Sequence, residues 1–241
     1  MKVIGNIPYL LYLASDVLWA DRYAKEIDMM RQQGNTEREK ALIKEALLGW
    51  SQRILDKWDW TINAHGTENF PEEGPVVFIS NHQGFADVLP FMNCVPFQTG
   101  FIAKSEIRKV PHFSKWIERV RGLYIDRGDA RASLRTISEG ANYLKQGFSM
   151  VIFPEGTRAK GPDHELGEFH PGSFKLATKA KAPIMPVTIN GTYKLYEEPG
   201  VVQKHMSFDV TFHPLIDVAS MDRHEQAELP DKVKDIIASV L

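Results

Sequence analysis

From Asn63 onward, short β-branched runs alternate with amphipathic helical stretches, which predicts an α/β fold with a mixed, mostly parallel sheet flanked by helices. Before that point two long apolar stripes at three- and four-residue spacing predict an N-terminal amphipathic two-helix hairpin. Composition agrees, since 43% of the 241 residues are hydrophobic and 25% charged, ordinary values for a chain that buries a sizeable core. At roughly 150 residues per domain, the length suits one domain with a helical appendage. The division expected is a two-helix segment over residues 1–62 and an α/β domain over 63–241.

The first helix carries Tyr9, Leu13, Val17, Ala20 and Ala24 on one stripe, extended by Ile27 and Met30. Its most apolar part, Ile7 to Ala20, is interrupted by Ser15 and Asp16. Fourteen helical residues reach about 21 Å, short of the ~30 Å hydrocarbon core, so no spanning helix is expected. A cleavable leader is not expected either, because Lys2 alone would form its basic start. Gly34 and Asn35 break the pattern, and a second helix begins near Thr36, with Glu39 at capping-box spacing. Ile43, Leu47, Trp50, Ile54 and Trp58 line one face of it. Trp19, Trp50, Trp58 and Trp60 crowd this region. Two readings stand: a hairpin docked on the body, or an interfacial device with its tryptophans among lipid headgroups.

Six strands are expected in the body, over 75–80, 100–103, 123–126, 148–153, 184–189 and 207–212. Helical patterns fall near 88–93, 112–119, 130–146 and 173–181, with a closing helix over 231–241. Leu134, Ile137, Ala141 and Leu144 supply the core stripe of the third of these. In open α/β sheets the site lies in loops at the carboxyl ends of strands. Two such loops carry chemistry here, 81–87 after the first strand and 154–158 after the fourth.

The net charge of −2 argues against a dedicated nucleic-acid binder. The stretch from Phe101 to Arg135 nevertheless holds nine Lys/Arg against four Asp/Glu. It is either a solvated basic face or a site for an anionic substrate or membrane surface. The single cysteine, Cys94, excludes an intramolecular disulfide and a cysteine zinc site. Its apolar neighbours Phe91, Met92 and Val95 suit a small buried hydrophobe. His112, His164, His170, His205 and His213 lack regular ligand spacing, and no metal is expected.

The first loop reads Asn81-His82-Gln83-Gly84-Phe85-Ala86-Asp87. A His and an Asp five residues apart would face different ways on one helix but can meet across a strand–turn–helix junction. A neutral imidazole held by a carboxylate is suited to general-base work. The plainer alternative is a helix-capping Asp beside an unrelated loop His. The second loop reads Phe153-Pro154-Glu155-Gly156-Thr157-Arg158. Gly156 permits a tight turn whose N–H groups can face an anion, Thr157 adds a hydroxyl, and Arg158 offers a fork matched to phosphate oxygens. An ordinary turn with a surface arginine fits the same residues.

These two blocks, about 70 residues apart and in this order, resemble the signature blocks of the glycerolipid acyltransferases, the 1-acyl-sn-glycerol-3-phosphate acyltransferases most nearly. Two more agree: Gly122-Leu123-Tyr124-Ile125-Asp126-Arg127 is similar to the family's second motif, and Ala182-Pro183-Ile184-Met185-Pro186-Val187 to its fourth. The resemblance spans roughly Gly66 to Asn190. It implies His82 as base and Asp87 as its orienting partner. Arg127 and Arg158 are implied as ligands of an acceptor phosphate, with Glu155, Gly156 and Thr157 shaping the acceptor site. Lys104 is a further phosphate candidate or a surface lysine, and Pro186 is implied as a structural residue near the acyl channel. The family often has serine where this chain has Gly84, which removes one candidate nucleophile.

The implied reaction moves a fatty acyl group from a thioester, acyl-coenzyme A or acyl-carrier protein, to the sn-2 hydroxyl of lysophosphatidic acid. The donor is a substrate, and no cofactor is implied. Work at a membrane follows from the hydrophobic product, and the expectation is a peripheral or monotopic protein of the cytoplasmic face with residues 1–62 as its membrane-interface segment. The rivals are an acyltransferase for glycerol-3-phosphate or another lysolipid, and a non-catalytic lipid-phosphate binding module. A serine hydrolase using Ser80 is disfavoured, since no nucleophile-elbow pattern surrounds it.

Overall fold

The computed structural model describes residues 2–126, 128–159 and 165–241. Its centre is a seven-stranded sheet in the order β1-β7-β6-β2-β5-β3-β4. The strands are β1 (Trp60–His65), β2 (Val77–Ser80), β3 (Thr99–Lys104), β4 (Leu123–Ile125), β5 (Ser149–Ile152), β6 (Ile184–Asn190) and β7 (Met206–Phe212). Strands β2 to β6 run parallel to one another, β7 is antiparallel to β6, and β1 is parallel to β7. The sheet is therefore mixed and mostly parallel, as expected. Every residue of β2 and β5 is buried, the consequence of a parallel sheet covered on both faces. The expected strands are all present. The sequence reading missed β1, which is largely exposed beyond Trp60 at the sheet edge and so carries no apolar run.

Alternate side chains of the central strands feed two cores. Phe78, Val151 and Met185 face a cluster built with the N-terminal helices, whereas Val77, Ile79, Met150, Ile152 and Ile184 face a second cluster. The second is covered by α5 (Ala130–Lys145), α6 (Pro171–Ala180) and α7 (Arg223–Ala238). The α7 helix starts eight residues earlier than expected because Asp222 and Glu225 form a capping box, and Pro230 is accommodated inside it. In α5, Ile137, Ala141 and Leu144 are buried as expected, but Leu134 is 49% exposed at the rim of a cavity.

The first core is covered by α1 (Lys2–Gln32), α2 (Thr36–Trp58), α3 (Leu89–Asn93) and α4 (Phe113–Arg119). Val17, Ala20, Ala24 and Ile27 of α1 pack on Leu42, Ile43, Ala46 and Leu47 of α2 within one cluster shared with the sheet. Tyr9 and Leu13 of the same stripe lie outside the described side chains. The hairpin is docked, and the expectation that its tryptophans lie among lipid headgroups is corrected for Trp50 and Trp58, which are buried in this core with Trp60 of β1. Their rings meet Phe113, Trp116, Phe85 and one another instead of a solvent-facing surface. Trp19 lies over Gly49, where a side chain would collide with the indole.

Glu39 corrects the expected capping box. Asn35 caps α2 instead, accepting the Arg38 N–H at 3.2 Å. The Glu39 carboxylate, 1% exposed, accepts Arg31 Nε at 2.8 Å and a two-pronged fork from Arg121 with both contacts at 2.8 Å. Arg31 also donates to the Arg119 carbonyl at 2.5 Å. This buried cluster ties α1, α2 and the segment before β4 together. Removing the carboxylate leaves two guanidinium groups facing each other, so Glu39→Ala should lower unfolding free energy by about 3 kcal/mol, measured by urea denaturation. A variant within ~0.5 kcal/mol of wild type would show the cluster to be peripheral to stability.

Candidate functional site

The loop after β2 is held by side chains that replace missing sheet contacts. Buried Asn81 exchanges two hydrogen bonds of 2.8 Å with the backbone of Ile189 in β6. Gln83 Oε1 accepts the Gly191 N–H at 2.9 Å, and the His82 N–H donates to Glu155 Oε1 at 2.8 Å. With its backbone fixed on both sides, His82 places its ring flat against Phe153, centroids 4.3 Å apart. Asp87 lies in the short 3-10 turn Phe85–Val88 that leads into α3.

The expected His–Asp pair is present. Asp87, fully buried, accepts His82 Nδ1 at 2.6 Å on Oδ2. The same oxygen accepts the N–H groups of Gln83 at 2.6 Å and Gly84 at 2.9 Å, and the Thr192 hydroxyl donates to Oδ1. A carboxylate facing so many donors acts as an acceptor, which fixes the proton of the neutral imidazole on Nδ1 and leaves the Nε2 lone pair free. Asp87 thus caps the start of the turn and holds His82 with the same carboxylate.

His82 lines a cavity of about 940 Å³ at the carboxyl ends of the sheet. Its walls are mainly apolar and include Leu47, Trp50, Phe101, Trp116 and Ile137. Lys104, exposed at the end of β3, and Arg158, half exposed, are its cationic groups nearest in sequence to the expected phosphate site. Gly156 lines it too, in a left-handed turn (φ +71°) that favours glycine. Glu155 is placed differently. Its carboxylate, 6% exposed, is divided between the His82 N–H and the Gly167 N–H, each at 2.8 Å. Burial pushes its pKa above the usual carboxylate range, against the lowering effect of those two N–H groups. It stitches the two loops together. Thr157 follows Gly156 in the same turn and is exposed. Arg127 and His164 lie outside the described residues.

Three participants had no place in the sequence reading. Thr192 and Gly191 follow β6, and a Gly-containing turn after a strand was the signal that could have found them. Glu197, whose Oε1 accepts the Phe85 N–H at 2.9 Å and Arg158 at 2.6 Å, gives no such signal. Three of the other histidines serve locally: His112 meets Asp21 and His205 meets Asp59, each at 2.6 Å, and His213 meets the Thr188 hydroxyl at 2.8 Å, whereas His170 lines the cavity. Among the described residues no three metal-ligating side chains converge. Cys94 is half-buried, and burial raises its thiol pKa.

Comparison with known proteins adds independent support. The family model described as Acyltransferase matches residues 61–190. The chain is 28% identical over 176 residues to a 1-acyl-sn-glycerol-3-phosphate acyltransferase of Borreliella burgdorferi, covering 73% of this chain and 70% of the relative. It is 35% identical over 138 residues to the chloroplastic LPAT1 of Arabidopsis thaliana, a 1-acyl-sn-glycerol-3-phosphate acyltransferase, covering 56% of this chain but only 38% of that protein. The crystal structure of the LPA acyltransferase PlsC from Thermotoga maritima matches with a TM-score of 0.78 at 23% identity, over 99% of this chain and 95% of the other. At that identity the match establishes the shared fold.

The buried Asp87 carboxylate depends on each of its donors. Thr192→Val keeps shape but withdraws a hydroxyl from a charged acceptor, and should lower unfolding free energy by about 1.5–3 kcal/mol in urea denaturation. A change below ~0.5 kcal/mol would mean that the backbone N–H groups alone satisfy the charge.

Proposed function

The chain belongs to the Acyltransferase family, and from that premise we propose that it transfers a fatty acyl group from a thioester to the sn-2 hydroxyl of 1-acyl-sn-glycerol-3-phosphate. The observation that carries the reading is the His82–Asp87 contact of 2.6 Å, with the imidazole at the wall of a large apolar cavity. The names of the Borreliella and Arabidopsis relatives support this acceptor. A cavity with apolar walls suits an acyl chain, and cations at its edge suit a phosphate.

In the reaction, His82 Nε2 takes the proton of the acceptor hydroxyl as its oxygen attacks the thioester carbonyl. The C–O bond forms, the tetrahedral oxyanion collapses, and the C–S bond breaks. The departing thiolate then receives the proton from the imidazolium, which Asp87 has held in place throughout. Arg158 and Lys104 hold the acceptor phosphate, which fixes the hydroxyl beside His82 and converts encounter into orientation. The donor is acyl-coenzyme A or acyl-carrier protein. The protein acts peripherally at the cytoplasmic face of a membrane, its contact supplied by the hairpin, where Leu18, Met29 and Leu48 are exposed. No helix among the described residues is long and apolar enough to cross a membrane.

The test is thiol release from a long-chain acyl thioester with and without lysophosphatidic acid. Release should require the acceptor, and His82→Ala should reduce kcat by about 10²–10⁴-fold. Acceptor-independent release would identify a thioesterase, and release with glycerol-3-phosphate alone would reassign the acceptor. Arg158→Ala should raise the acceptor KM with little change in the thioester KM, as expected for lost binding of one substrate. Equal effects on both constants would remove Arg158 from the phosphate site.

A further inference from the structure

We propose that Glu197 is a positioning residue for Arg158, and that the missing side chain of Gly84 is the space in which it works. The inference rests on the acyl-transfer reading above and deepens it. Glu197 stands outside all four sequence blocks, just beyond the turn Thr192–Leu195. Its Oε1 accepts two donors, the Phe85 N–H at 2.9 Å and Arg158 at 2.6 Å. Phe85 belongs to the loop between His82 and Asp87. A single carboxylate oxygen therefore joins the phosphate-binding arm to the backbone that carries the base.

Arg158 is 49% exposed, whereas Glu197 is 17% exposed. A half-exposed arginine without an anchor samples many rotamers, and a phosphate would have to order it on arrival. Anchored through one terminal nitrogen, the fork keeps its remaining N–H donors for the ligand. Burial pushes the Glu197 pKa upward, while the Phe85 N–H and Arg158 pull it back. The carboxylate is stable there because both donors are present.

Gly84 completes the device. Its backbone is extended (φ −152°, ψ 174°), a conformation open to any residue. The demand for glycine is spatial: a Cβ would come 2.8 Å from Glu197 Oε2 and 3.2 Å from the Thr192 carbonyl oxygen. The Oε2 atom is buried and has no hydrogen-bond partner from another described residue. A methyl group at position 84 would therefore displace the carboxylate, the mobile end of the contact, and release Arg158. If Glu197 instead competed with phosphate for Arg158, removing it would tighten acceptor binding, which is the opposite sign.

The experiment measures KM for lysophosphatidic acid and for the acyl thioester in wild type, Glu197→Ala, Glu197→Gln, Gly84→Ala and the Gly84→Ala/Glu197→Ala double variant. Glu197→Ala should raise the acceptor KM by about 10–100-fold, the scale of a lost positioning contact, with the thioester KM within about twofold. Glu197→Gln retains an oxygen for the Phe85 N–H and should recover part of the loss. Gly84→Ala should reproduce the Glu197→Ala effect, and the double variant should be no worse than Glu197→Ala, because both act on one contact. With 1-acylglycerol, which lacks the phosphate, the variants should match wild type in KM. Thermal unfolding verifies that each variant is folded; if Gly84→Ala is not, the Glu197 pair decides alone.

An active wild type whose Glu197 variants bind acceptor equally or more tightly overturns the inference and leaves the acyl-transfer reading standing. Effects shared by both substrates, or persisting with 1-acylglycerol, overturn it likewise. A wild type without acceptor-dependent release overturns the functional reading and this inference together.

Discussion

The charge of Asp87, buried completely at the carboxyl end of the sheet, is the constraint on which the site depends. An ionised carboxylate away from water persists only where donors replace its hydration. Here the replacements come from the Gln83 and Gly84 N–H groups, the Thr192 hydroxyl and the His82 imidazole. Meeting that demand dictates the path of the loop and the direction of the imidazole at once. The imidazole is aimed by the same bonds that make the buried charge tolerable.

That loop in turn rests on the order of the strands. β2 is flanked by β5 and β6, so the segments leaving all three emerge side by side. Asn81 and Gln83 bind the β6 side, at Ile189 and Gly191. The Glu155 carboxylate binds the β5 side, and the Ala159 N–H closes it by donating to the His82 carbonyl at 2.7 Å. Side chains thus continue the hydrogen bonding of the sheet beyond its last ladder, where the backbone alone has no partner. Glu155 and Glu197 serve as linkers between loops, which explains carboxylates beside a site expected to attract an anion.

The hairpin contributes on two scales. Leu47 and Trp50 of α2 supply part of the cavity wall, so the helices are components of the site as well as a cover for the sheet. Their placement is fixed by apolar packing along α1 and α2 and by the Glu39–Arg31–Arg121 cluster at one end. Apolar packing is non-directional, whereas a forked arginine on a buried carboxylate specifies one registration of hairpin against body. The rim of the cavity inherits that registration.

Much of this was legible in the residue order, and for a physical reason. A strand buried on both faces needs a continuous apolar run, so β2, β5 and β6 declared themselves, and the five-residue spacing across a strand–turn–helix junction declared the contact between His82 and Asp87. The matching blocks around Arg158 pointed to the same end of the sheet. Tertiary structure alone decided what depends on neighbours distant in sequence. It made β1 a strand, because edge pairing with β7 requires no apolar signature. It buried Trp50, Trp58 and Trp60, because an amphipathic face seeks an apolar partner without specifying which one. It turned Glu39 from a helix cap into a buried ion-pair centre, and it brought Thr192 and Glu197 to a site 105 and 39 residues from the partners they hold. Local order determines which elements can form and which side chains can do chemistry. Which donors meet a buried charge is settled only when those elements close on one another.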